Sequence, residues 1–106
     1  MDGVIYVDKL NEKKILIQII GVLVAISNDS MTIGEGEKYL FSPRMVKKLI
    51  DEKCDNRIVD IINEGCELED IESLIPDKLE KNLDYLEKKA LDILKSYEVI
   101  DNINWS

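Results

Sequence analysis

The sequence predicts a mainly α, single-domain bundle of five to six helices packed around a central apolar helix. Three observations predict it. A twelve-residue apolar run, Ile15 to Ile26, has Gln18 as its one strongly polar member. A stripe near the C-terminus, Leu79, Leu83, Leu86, Ala90, Ile93 and Tyr97, steps by 4, 3, 4, 3 and 4, which is the spacing of one helix face. Between them, Thr32, Ser42-Pro43 and Pro76 are helix-start signals. At 106 residues and 45% hydrophobic content the chain suits one domain with a real core. The reading places residues 1–10 in an N-terminal arm and 99–106 in a C-terminal tail.

The elements follow in order. Val4-Ile-Tyr-Val7 is β-prone and reads as a short edge strand or an extended arm. The first helix spans about Asn11 to Ser27; it is apolar on nearly every side, which predicts the central position. Thr32-Ile-Gly-Glu35 has the form of a capping box and opens a short helix to about residue 41, weakened by Gly34 and Gly36. Ser42-Pro43 reads as N-cap and first helical residue of a third helix reaching about Lys53. Asp55 or Asn56 caps a fourth, which carries Ile58, Ile61 and Ile62 and stops at Gly65, where glycine suits a C-cap. Residues 67–74 form an acidic helical turn, and Pro76 starts the last helix. Its stripe reads as a bundle face, with dimerisation through the stripe as the alternative.

The net charge is −8, and no histidine is present. Residues 51–80 hold eleven acids against three bases, whereas the flanking segments are nearly neutral. Such a chain is not expected to bind nucleic acid, whose phosphates it would repel. A basic protein partner is the expected complement. The candidate docking residues are Asp51, Asp55, Asp60, Glu64, Glu67, Glu69, Asp70 and Glu72, with Tyr85 as an aromatic anchor. The same run also reads as a solvated face that keeps the chain soluble.

No catalytic signature emerges. Without histidine, the commonest general base and metal ligand is missing. Cys54 and Cys66 form no C-x-x-C pair and read as reduced thiols. A calcium loop counted from Asp60 puts Gly65 correctly but places Ile62 and Ile71 where oxygen ligands are needed. Ile33-Gly-Glu-Gly36 lacks the lysine of a phosphate loop. No enzyme activity, cofactor or metal is therefore expected. The apolar run is too short for a membrane span, which needs about 20 residues. Its acidic upstream flank and the lack of a small-x-small cleavage site argue against a signal peptide, so a cytoplasmic protein is expected.

Two segments carry a resemblance. Glu37-Lys-Tyr-Leu-Phe-Ser-Pro43 and Glu67-Leu-Glu-Asp-Ile-Glu-Ser-Leu-Ile-Pro76 resemble the "E-x-x-L-F-S-P" and "E-L-E-D-I-x-x-L-x-P" segments of a family of small uncharacterised bacterial proteins, over about residues 15–95. The resemblance implies a mostly helical protein and transfers no functional residue. In size and charge the chain also resembles small acidic immunity proteins, which bind and block a cognate toxin. The functional expectation is therefore an inhibitory protein-binding module. Its alternative is a homodimeric structural or regulatory adaptor.

Overall fold

The computed structural model describes the backbone of residues 2–97 and the side chains of residues 10–97. The chain folds as α1 (Asp2–Ser27), α2 (Ile33–Tyr39), α3 (Pro43–Asp51), α4 (Asn56–Gly65), α5 (Leu68–Leu74), a 3₁₀ turn (Pro76–Lys78) and α6 (Leu79–Lys95). It is mainly helical, and no strand occurs among the described residues. Four helices reach nine residues or more and carry the architecture. The expectation of five to six helices gave equal rank to α2 and α5, which are seven residues each, barely two turns.

The strand or extended arm expected at the N-terminus is replaced by helix. α1 begins at Asp2 and runs unbroken through residues 4–7. No proline separates that segment from the apolar run, and extending a nucleated helix is easier than starting a strand without a partner. The C-terminal tail and Trp105 lie outside the described residues.

Two helices end in the same way without glycine. After α1, the Ser30 amide donates to the Ala25 carbonyl at 2.8 Å and the Asp29 amide to that of Ile26 at 3.1 Å. After α3, the Cys54 amide donates to Leu49 at 2.9 Å and the Lys53 amide to Ile50 at 3.0 Å. Both are Schellman motifs, whose left-handed residue is here Asp29 (φ 59°) and Lys53 (φ 58°). The helix starts are as the sequence indicates. Thr32 Oγ1 accepts from the Glu35 amide at 3.0 Å while Glu35 Oε1 accepts from the Thr32 amide at 3.2 Å, closing the capping box. Ser42 Oγ accepts from the Met45 amide at 3.2 Å, with Pro43 at the first helical position. Asp55 Oδ1 accepts from the Arg57 amide at 2.9 Å.

One hydrophobic cluster unites these helices. α1 packs chiefly on α6, and α4 closes against both. Leu16, Ile19 and Leu23 of α1 are wholly buried with Ile58, Ile61 and Ile62 of α4. Leu83, Leu86, Ala90 and Ile93 of α6 are buried too, so the leucine stripe packs within the bundle. α1 is not fully enclosed, however. Ile17 and Val24 are about two-fifths exposed, and Gln18 and Gly21 lie on the solvent side.

Phe41 explains the position of two glycines. Its ring is 1% exposed and fills a notch over α4 and α2. A Cβ on Gly65 would meet the ring at 2.4 Å, and one on Gly36 would meet Ile26 Cδ1 at 2.9 Å. No glycine has positive φ. Gly65 therefore ends α4 as expected but for a different reason: it makes room for a ring and is not a left-handed cap.

Candidate functional site

One side of the molecule carries a groove of about 880 Å³. Its walls are the end of α1 and the following turn, the start of α2, the outer side of α5, the 3₁₀ turn and the first half of α6. Apolar groups form its floor: Ile26, Met31, Ile33, Leu79 and Leu83, with Pro76 at one edge. Six carboxylates surround them, those of Asp29, Glu69, Glu72, Glu80, Asp84 and Glu87. Among the described residues, no lysine or arginine lines the groove. Two of the six have neighbours that moderate them: Glu87 Oε2 accepts from Ser27 Oγ at 3.0 Å, and Lys88 reaches Asp84 at 3.7 Å in an exposed ion pair. Such a pair contributes little. Next to Pro76 the chain presents Leu74, 77% exposed, and Ile75, 51% exposed. The two form an apolar knuckle beside the acid-rimmed groove.

The nine sequence-derived docking residues are only partly brought together. Glu69 and Glu72 line the groove. Asp60 on α4, Glu67 just before α5 and Asp70 on α5 are exposed. Asp51 pairs with Lys47 at 3.1 Å on the surface of α3. Glu64 accepts from Lys89 Nζ at 3.0 Å, tying α4 to α6, and the same ammonium lies 5.5 Å from the centre of the Tyr85 ring. Tyr85 is half exposed beside it.

Asp55 is engaged inside the fold. Its carboxylate caps α4, receives Arg57 Nη2 at 2.7 Å and Nε at 3.1 Å, and accepts from the Tyr97 hydroxyl at 3.3 Å. That hydroxyl also donates to Glu12 Oε1 at 2.9 Å, while Glu12 Oε2 accepts from the Asp55 amide at 2.8 Å. The network ties α1, the α3–α4 link and the end of α6 together. The Arg57 side chain above all holds the Asp55 carboxyl down at about 2. Burial and then the Glu12 carboxylate push the Tyr97 hydroxyl up. A group so committed serves the scaffold.

Sequence reasoning missed Asp29, Glu80, Asp84 and Glu87. Counting charge by segment hides Asp29, Asp84 and Glu87, which sit in flanks whose totals are near neutral, and gives Glu80, the last acid of the acidic stretch, a local role at the start of the helix. The signal was present as spacing. Glu80, Asp84 and Glu87 step by 4 and 3 along α6 and so share one face beside the leucine stripe.

One carboxyl pair is unusual. Glu37 on α2 lies against Glu69 on α5. Hydrogen bonding with Glu69, then burial and the charges of Glu69 and Asp70, raise the Glu37 carboxyl above its ordinary range. Its Oε1 atom is closed off from solvent and has no hydrogen-bond partner. Neither thiol is activated. Burial and then the Glu12 and Asp55 charges push Cys54 up to about 11, and burial raises Cys66 as well. Both are free thiols, protonated at neutral pH and therefore poor nucleophiles. Among the described residues, no group of three or more acidic or thiol side chains is placed to hold a metal ion. No described helix is long and apolar enough to cross a membrane.

Residues 8–105 match the family model described as "Protein of unknown function (DUF3969)", and the chain belongs to that family. No curated protein and no solved structure matches it.

Proposed function

We propose that this member of the DUF3969 family is a non-catalytic, inhibitory protein-binding module, cytoplasmic, whose partner is a basic protein. Its most concrete form is an immunity protein that binds and neutralises a cognate bacterial toxin domain. The observation that supports this reading is the groove: six carboxylates around an apolar floor, no cation in the lining among the described residues, and an exposed Leu74–Ile75 knuckle at its edge. The two features divide the work of recognition. Like-signed rim charges accelerate encounter with an oppositely charged partner and reject acidic ones. Exposed aliphatic side chains entering a dry contact slow dissociation. The alternative is a homodimeric structural or regulatory adaptor; burial of Leu83, Leu86, Ala90 and Ile93 in the core weighs against pairing through the α6 stripe.

The test is association kinetics with a basic toxin domain encoded beside this gene. Reversing Glu80, Asp84 and Glu87 to lysine is expected to slow association at least tenfold at low salt, with the gap closing as salt rises. Leu74→Ala is expected to raise the dissociation rate at any salt. Unchanged association of the reversed variant at low salt refutes the groove as the docking face.

A further inference from the structure

The corner between α2 and α3 has the opposite electrostatic character. A cleft of about 510 Å³ there is lined by Lys38, Arg44 and Lys48, together with Tyr39 and Met45, and by no carboxylate among the described residues. The chain is strongly acidic, and many of its cations are occupied: Lys47 with Asp51, Arg57 with Asp55, Lys88 with Asp84 and Lys89 with Glu64. None of the three cleft cations makes an ion pair among the described residues. Lys38 and Lys48 have a local reason for their positions, since each lies in the last turn of its helix, where a cation suits the helix dipole. Arg44 has none. It sits in the first turn of α3, where the dipole disfavours a cation and no acid is present, and it is one helical turn from the like-charged Lys48. Arg44 is placed against the interest of its own helix.

The corner is also rigid. Phe41, buried in the notch over Gly65 and Gly36, fixes the link between the two helices, and the Ser42 cap fixes the start of α3. The cations are therefore held apart in advance, which reduces the ordering cost of binding. Tyr39 stands at the lip, 57% exposed, the most exposed aromatic side chain among those described. Tyrosine, arginine and methionine are the residue types that concentrate in interface cores.

From this placement we propose that the α2–α3 corner is a second docking surface, opposite in sign to the groove, which takes a short acidic segment of a partner protein. Charge complementarity sets the sign of the partner, and the rest of the molecule sets its length. Three cations neutralise only about three charges of a nucleic acid. A longer polyanion would extend beyond the screening length of about 8 Å and meet the acids of α4, α5 and the groove. A segment with two or three carboxylates next to one apolar residue stays within the cleft.

The probe is a fluorescently labelled dodecapeptide of uncharged polar residues with three central carboxylates, from aspartate and glutamate, beside one leucine, titrated into the full chain by anisotropy, with inorganic phosphate and a single-stranded dodecanucleotide as separate arms. Binding of the peptide in the micromolar range is expected. Arg44→Glu combined with Lys48→Glu is expected to weaken it at least tenfold, and Tyr39→Ala about fivefold, with the helical circular-dichroism signal unchanged. Conservative Arg44→Lys is expected to retain most of the affinity. The proposal is overturned if the peptide fails to bind at millimolar concentration, or if the charge reversal leaves its binding unchanged. It is equally overturned if phosphate or the oligonucleotide binds the cleft more tightly. Concentration-dependent dimerisation abolished by the same reversal would give the cleft to a second copy of this chain and overturn the heterologous partner.

Discussion

Two glycine-to-alanine substitutions with the same chemistry are expected to move stability in opposite directions. Gly21 lies in the interior of α1, and a Cβ built on it meets no atom within 4 Å. Alanine there gains the helix-propensity difference, about 1 kcal/mol, with no steric cost. Gly65 is the last residue of α4, and a Cβ built on it falls 2.4, 2.7 and 2.8 Å from three atoms of the Phe41 ring. Carbon atoms prefer about 3.5–4.0 Å, so the ring would have to retreat by roughly 1 Å. It has nowhere to go, being 1% exposed against the core. Overpacking of this kind costs about 1–3 kcal/mol, and the propensity gain at a helix end is under about 1 kcal/mol. A net loss of about 2 kcal/mol follows for Gly65→Ala. In a domain of this size that lowers Tm by about 10 °C, while Gly21→Ala raises it by about 5 °C. Thermal and urea unfolding followed by circular dichroism measure both. Adding Phe41→Leu to Gly65→Ala should restore about 1 kcal/mol of that loss relative to the sum of the single changes, because the smaller side chain vacates the clash. Gly65→Ala at or above the stability of the parent protein would refute the close-approach explanation for this glycine.

Three other outcomes are expected. Lys53→Gly should stabilise by about 0.5–1 kcal/mol in urea unfolding, because its φ of 58° suits glycine and the relief exceeds the added chain entropy. Glu37→Gln should stabilise at pH 7 by about 1 kcal/mol, as the amide donates to Glu69 without needing a proton. In the parent protein, the raised Glu37 carboxyl means that the unfolded chain releases this proton first. Stability should therefore fall as pH rises from the ordinary glutamate range through the raised value, and Glu37→Gln should flatten that slope. Asp55 has the opposite sign: its contribution is present above the ordinary aspartate range and is lost as pH falls toward about 2, an acid limb that Asp55→Asn should remove.

The fold was legible where the sequence states its own boundaries. Thr32, Ser42-Pro43 and Asp55 specify helix starts through side-chain oxygens or a fixed φ, and each start lies where those atoms place it. The leucine stripe of α6 identified a buried face because one helical period was repeated over five turns. What failed was inference from composition. The β-prone Val4–Val7 became helix because propensity yields to continuation of a long helix. The all-apolar character of α1 suggested full enclosure, yet the helix keeps a solvent side bearing Ile17 and Val24. Gly65 was placed correctly on a general preference of helix ends, but its cause was a ring twenty-four residues away.

The candidate site shows the same limit more sharply, because charge acts through distance in space. A window of thirty residues identified an acidic stretch, and folding then dispersed it. Asp55 became a half-buried tie, and Asp51 and Glu64 found cations. The groove was assembled from three separated pieces: one acid after α1, two on α5 and three on a single face of α6. The α2–α3 corner was hidden in the same way, inside a half of the chain whose total is close to zero. Its three cations line one cleft around the α2–α3 link, which the buried Phe41 anchors. α2, about 10 Å long, has the start of its helix in the acidic groove and its end at the basic cleft. That separation is close to one screening length at physiological salt, so each surface can keep its own sign in a protein whose average is simply acidic.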